Sequence, residues 1–138
     1  MVELIVVLGI ASVLLSITFT ALNKAANQRS AQSARDAYVW MGRRARAAAI
    51  QRGTPVRFTI FGSGRAIVAQ ANNSRVIDQL DFRKEFGITA TLPSDSVAVL
   101  YDPRGMADTG TPRTVQFARG ATSSKAKVQI LGQVEAVQ

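Results

Sequence analysis

Two groupings of side chains in this sequence could in principle do chemistry. Asp78 and Asp81 are a carboxylate pair, and Ser123-Ser124-Lys125 sets two hydroxyls beside an amine. Paired carboxylates can divide acid and base work, and a lysine of lowered pKa can activate a serine. Neither grouping suits its task. Asp78 and Asp81 are three residues apart on a predicted strand, an odd spacing that sends them to opposite faces. Ser123-Ser124-Lys125 reads as a turn between strands, and adjacent residues rarely hold nucleophile and base in a fixed geometry. The 138 residues contain no Cys and no His, which removes disulfides, thiolate metal sites, the commonest general base and every Ser–His or Cys–His nucleophile design. No catalytic residue, no metal site and no cofactor is expected.

Charge is the other resource. The chain holds 17 Lys+Arg against 9 Asp+Glu, a formal net charge of +8. Lys24 to Arg65 contain nine basic residues and a single acid, Asp36, so the whole excess sits there. Within that stretch Arg29, Trp40, Arg43 and Arg44 make a candidate patch. An aromatic among arginines can stack nucleic-acid bases, and a net positive charge attracts phosphates. The same residues could instead pack on a neighbouring subunit, with the arginines facing its acidic groups. Glu3 is the remaining oddity. It precedes a run from Leu4 to Leu22, nineteen residues with no charge. A carboxylate drawn into a bilayer from that position costs about 2.5–3.5 kcal/mol. It could also mark the water boundary.

The elements that must carry these residues follow from periodicity. Nineteen uncharged residues at about 1.5 Å each match a bilayer core of about 30 Å. A buried core helix is the alternative, but 138 residues offer little protein to surround it. No basic n-region and no small-residue cleavage site flank the run, so it does not read as a secretory signal peptide. Lys24 onward would keep its own side cytoplasmic by charge, which suggests that a cytoplasmic leader is missing from this sequence. Gly9, Ala11, Ser12 and Ser16 are small enough to let helices approach closely. Beyond Leu22 the helical period continues: Asn27, Ala34, Tyr38, Met41, Ala45 and Ala48 fall on one stripe, with Arg29, Arg35, Arg43 and Arg46 mostly opposite. Gly53-Thr54-Pro55 stops it. A helix over 2–52 would be about 75 Å long.

After Pro55 the period shortens to that of strands. Strands are predicted at Val56–Phe61, Ala66–Gln70, Val76–Phe82, Phe86–Leu92, Val97–Tyr101, Thr114–Ala118 and Lys127–Leu131. Gly62-Ser63-Gly64 and Asn72-Asn73-Ser74 read as hairpin turns, and Asp102–Pro112 as a surface loop. The expected class is α+β, a long N-terminal helix on a C-terminal antiparallel β-sheet domain, shaped like a lollipop. Its parts are a membrane or filament-core half at 1–22, an amphipathic half at 23–53 and a β-rich globular domain at 54–138.

Met1 to Leu15, Met-Val-Glu-Leu-Ile-Val-Val-Leu-Gly-Ile-Ala-Ser-Val-Leu-Leu, resembles the N-terminal signature of type IV pilins and type II secretion pseudopilins. In that family a prepilin peptidase cuts after a leader ending in Gly, and the new terminus is methylated. Glu3 matches the signature glutamate and Met1 the residue two before it. The leader, its Gly and the methylated Phe are not in this sequence, so the chain is expected to begin at an internal methionine. Arg46-Ala-Ala-Ala-Ile-Gln-Arg-Gly-Thr-Pro-Val56, Tyr101-Asp-Pro-Arg-Gly105 and Val128-Gln-Ile-Leu-Gly-Gln133 resemble, in order, the helix exit, loop and closing strand of the GspH/FimT group.

That resemblance implies a minor pilin or pseudopilin, a non-catalytic subunit at or near the tip of a type IV pilus or type II secretion pseudopilus. It implies a single-pass place in the bacterial inner membrane with a periplasmic domain before assembly. Other pilins or pseudopilins in a helical filament would be the partners, with Glu3 pairing with the amino terminus of a neighbour. The alternative that the resemblance implies is a DNA-binding minor pilin for DNA uptake in natural transformation. Some members of the group are DNA receptors that use a Gly-Arg-x-Arg motif. The matching positions here are Gly132-Gln133-Val134-Glu135, where both arginines are lost and one position is acidic.

Overall fold

A computed structural model describes residues 2–107, 109 and 111–137, with Ile17 described by its backbone only. Met1, Asp108, Gly110 and Gln138 lie outside the described residues; the reading of Met1 and two positions of the 102–112 loop therefore fall there.

Helix α1 runs unbroken over Val2–Arg52. No proline interrupts it, its second half is rich in Ala, and Arg52 in the last turn complements the helix dipole. The two halves meet different surroundings. From Val2 to Leu22 the large apolar side chains stand exposed, among them Leu4, Val7, Leu14 and Phe19. From Ala31 onward one stripe is buried: Ala34, Tyr38, Met41, Ala45 and Ala48 as the period predicts, joined by Ala31, Val39 and Ala49. Asn27, at the lower end of the predicted stripe, is only half-buried.

That stripe packs on two four-stranded sheets whose strand pairs are all antiparallel. The first has the order β3-β2-β1-β5, from β1 (Val56–Phe61), β2 (Arg65–Gln70), β3 (Val76–Asp81) and β5 (Ser96–Tyr101). The second runs β4-β6-β7-β8, from β4 (Thr89–Thr91), β6 (Arg113–Arg119), β7 (Thr122–Val128) and β8 (Val134–Val137). Alternation decides which faces turn inward. Val56, Phe58 and Ile60 on β1 and Val97, Val99 and Tyr101 on β5 are all buried. α1 rests chiefly on β6, β7 and β8 of one sheet and on β1 of the other. Tyr38 is the hub, its ring centroid 5.0 Å from Phe58, 5.5 Å from Phe117 and 6.5 Å from Phe82. One helix residue thus ties both sheets together.

Three strand assignments are corrected. Phe82 does not extend β3 and Phe86 does not begin a strand, because Phe82–Phe86 form a short helix, α2. Asp81 caps it by accepting from the backbone N–H of Arg83 (3.0 Å) and Lys84 (3.1 Å). Gly87, at φ +62, closes it in the left-handed conformation that a side chain would resist. Ser123-Ser124-Lys125 is not a turn but the middle of β7. The turn lies earlier, at Gly120-Ala121, where Gly120 takes φ +59 between the paired Arg119 and Thr122. Ser124, Ala126 and Val128 then face inward while Ser123 and Lys125 are exposed. Consequently β7 ends at Val128 instead of Leu131, residues 129–132 turn, and β8 is a strand that the sequence pattern did not reveal.

Candidate functional site

The exposed half of α1 carries Glu3 in its first turn, where a negative charge favours the helix dipole. Gly9 meets nothing within 4 Å of where a Cβ would stand. By helix geometry Gly9, Ser12 and Ser16 share one face and Ala11 falls on another. Three hydroxyls here are satisfied inside the helix: Ser12 Oγ donates to Gly9 O (2.8 Å), Thr18 Oγ1 to Leu14 O (2.9 Å) and Thr20 Oγ1 to Ser16 O (3.0 Å). A segment that leaves water needs this, because an unpaired hydroxyl in hydrocarbon is costly.

The face of α1 turned away from the sheets carries the basic patch. Trp40 is 54% exposed. The Arg44 guanidinium lies over its ring, 5.0 Å from the centroid, and Arg44 Nη1 also reaches Asp78 Oδ2 at 3.0 Å. The contact combines cation–π attraction with an ion pair that fixes the cation. Arg43, one residue earlier, turns to the other flank. There, with Arg46, Tyr101, Gln133 and Glu135, it lines a cleft of about 220 Å³ between α1 and the start of β8. Arg29 lies three helical turns below Trp40, about 16 Å along the axis. The patch is therefore one built cluster, Trp40 with Arg44, plus two arginines spread along the same side.

The residues considered for chemistry have other tasks. Asp81 caps α2 and Asp78 holds Arg44. Ser123, Ser124 and Lys125 lie along β7, beside Gln28, Gln32 and Arg35 of α1. Asp102 accepts from the backbone N–H of Met106 (2.8 Å) and Arg104 (2.9 Å). The Met106 N–H, more than any other group, holds its carboxyl below the usual aspartate range. Gly132 O accepts from the buried Tyr101 hydroxyl at 2.6 Å, and Glu135 accepts from Gln129 Nε2 at 3.1 Å. The Gly132–Glu135 segment is thus a structural turn that leads into an edge strand.

Sequence reasoning missed two anchors of the helix. Arg119 Nη1 spans from β6 to Ser30 Oγ (2.7 Å) and Phe86 O (3.1 Å), so it pins α1, α2 and the second sheet at one point. Its helix partner is 89 residues away, and no local pattern signals such a pair. Gly42 had a signal, since a glycine inside a helix costs about 1 kcal/mol against Ala and calls for a packing reason. A Cβ there would stand 2.5 Å from Val134 Cγ2, so Gly42 is what lets β8 lie against α1.

Among solved structures, this architecture is similar to the type IV minor pilin FimU of Pseudomonas aeruginosa. The TM-score is 0.65 at 15% identity, over 87% of this chain and 92% of that one. A second crystal form of FimU gives 0.61 at 16%, over 78% and 92%. The minor pseudopilin EpsH of the type 2 secretion system of Vibrio cholerae gives 0.59 at 14%, over 78% and 96%. At such identities the likeness speaks for the fold. No curated protein sequence matches the chain significantly. The family model of the type II transport protein GspH matches residues 42–133, about two thirds of the chain, from the helix face that meets β8 to the turn that leads into it. The chain belongs to the GspH family.

Proposed function

We propose that this GspH-family chain, a minor pilin or pseudopilin, works as a structural subunit at or near the tip of its filament, without catalysis of its own. One observation carries the reading. A single unbroken helix has an apolar half whose described large side chains are all exposed and a half that is built into a folded domain. Exposed apolar side chains from Val2 to Leu22 are stable only in lipid or against other apolar helices. In this reading residues 2–22 hold the chain in the inner membrane, with the domain on the periplasmic side, until the helix joins a bundle of like helices. Gly9, Ser12 and Ser16 then offer a small-residue face for close approach. Glu3, facing an apolar surrounding, favours the one axial position in which a cationic amino terminus meets it. Nucleic acid finds less to hold, because Arg44 is already engaged by Trp40 and Asp78 and the Gly132–Glu135 turn ends in an acid.

The test is fractionation of host cells that produce the tagged full chain. It is expected in the inner membrane and, at low ratio to the major subunit, in sheared filaments. Glu3→Leu should leave membrane insertion intact and reduce filament incorporation at least tenfold. Equal incorporation of both forms would refute the assembly role of Glu3. Absence of the unaltered chain from filaments would refute the subunit reading.

A further inference from the structure

The outward face of α1 from Arg29 to Ile50 combines three properties. It is apolar in places, with Trp40 and Ile50 both more than half exposed. It is basic, with Arg29 and Arg43 beside the Arg44 that Asp78 already holds, while its acid Asp36 is held by Arg35 at 2.9 Å. And its aromatic is fixed in advance. Asp78 holds Arg44 and Arg44 covers one face of the Trp40 ring, so the indole presents its other side with little freedom left to lose. Tryptophan and arginine held in this way are the residues that most often dominate binding.

The acids of the chain argue against a second copy as the occupant. Asp36, Asp78, Asp81, Asp102 and Glu135 each have a partner within the chain. Of the other described acids, Glu3 belongs to the apolar half, Glu85 sits on α2 directly after Arg83 and Lys84, and Asp95 stands alone in the bend before β5. With a net charge of +8, two copies repel. Glu3, Glu85 and Asp95 lie on three separate segments, α1, α2 and the bend before β5, instead of forming one acidic cluster to meet Arg29 and Arg43. We propose that this face is a heterotypic docking surface whose occupant is a different, acidic subunit of the same filament, with an apolar recess for Trp40. The proposal rests on the subunit reading above.

The test is photo-crosslinking of the full chain in its host cells. p-Benzoylphenylalanine replaces exposed Ala47, two turns above Trp40, and in a separate strain replaces Leu15 in the apolar half. Cross-linked peptides are identified by mass spectrometry. From position 47 the expected partner is a different pilin-class subunit, joined within an Asp- and Glu-rich stretch. Trp40→Ala and Arg43→Glu/Arg44→Glu should each cut that yield at least about tenfold while the position-15 product persists. Lysine in place of the partner's acids should restore it in the Arg43→Glu/Arg44→Glu background. A product with a second copy or with nucleic acid, or none from position 47 while position 15 links, would overturn the proposal. Loss of product from both positions would instead bring down the subunit reading and the proposal with it.

Discussion

Tyr38 is the residue on which the fold turns, and it carries a cost. Its ring joins α1 to both sheets, yet its hydroxyl is buried without a hydrogen-bond partner. An unsatisfied buried hydroxyl costs more than the same position left apolar. Tyr38→Phe should therefore leave the fold intact and raise its stability by up to about 1 kcal/mol, whereas Tyr38→Ala should lose about 3–5 kcal/mol; denaturant melts of the three proteins would rank them. A lower stability for Tyr38→Phe would mean that the hydroxyl has a partner after all. Both tyrosines of the chain are buried. Burial pushes Tyr38 well above the usual phenol range and Tyr101 up to about 12, with Arg46 pulling Tyr101 slightly back. The folded form thus holds its phenol protons more tightly than the unfolded chain does. Stability should be full below about pH 10, the ordinary tyrosine pKa, and fall as pH rises from there through 12. Tyrosinate absorbance should appear together with loss of structure, and an increase at pH 10 in the folded protein would show that one ring is open to solvent.

At the scale of elements, legibility followed the length of each repeating pattern. α1 was readable to its ends because an uncharged run of nineteen residues passes unbroken into an Ala-rich stretch with a helical stripe, and Gly53-Thr54-Pro55 terminates it. β1, β2, β3 and β5 were readable to within a residue because Gly62–Gly64 and Asn72–Ser74 punctuate alternating runs. α2 was missed because five residues are too few to show a helical period. Its signature was at the ends, Asp81 as cap and Gly87 as stop. β7 was misplaced because Ser123-Ser124-Lys125 was weighed by composition, while its alternation with Ala126 and Val128 carried the signal. β8 has four residues and depends on Gly42 far upstream, so nothing local announces it. Of the candidate site, the patch could be read by residue type, but the pairing of Arg44 with Asp78 spans thirty-four positions and needed the fold. That dependence on Gly42 can be tested. Gly42→Ala gains about 0.5–1 kcal/mol of helix propensity but sets a Cβ against Val134, whose Cβ is 3.1 Å away. It should lower domain stability on balance, with amide exchange rising first in β8. Gly9→Ala, in open space, should leave the domain unchanged. Equal effects of the two would show that β8 does not rest on Gly42.

Over the whole molecule, the domain's buried core begins at Ala31 and draws nothing from the apolar half of α1. The domain and the exposed helix therefore answer to different surroundings while sharing one backbone. The unbroken course of α1 has a mechanical consequence. Tension applied near Glu3 travels through backbone hydrogen bonds in series and reaches the domain as shear along the helix axis. Slippage is resisted at separate heights: Arg119 on Ser30, the Tyr38 ring among three phenylalanines, Val134 against Gly42, and Ile50 against Gly105. These points span about 30 Å of helix, so a pull loads them together and cannot peel them one after another. A subunit drawn by its helix from one environment into another brings its domain along as a single rigid load.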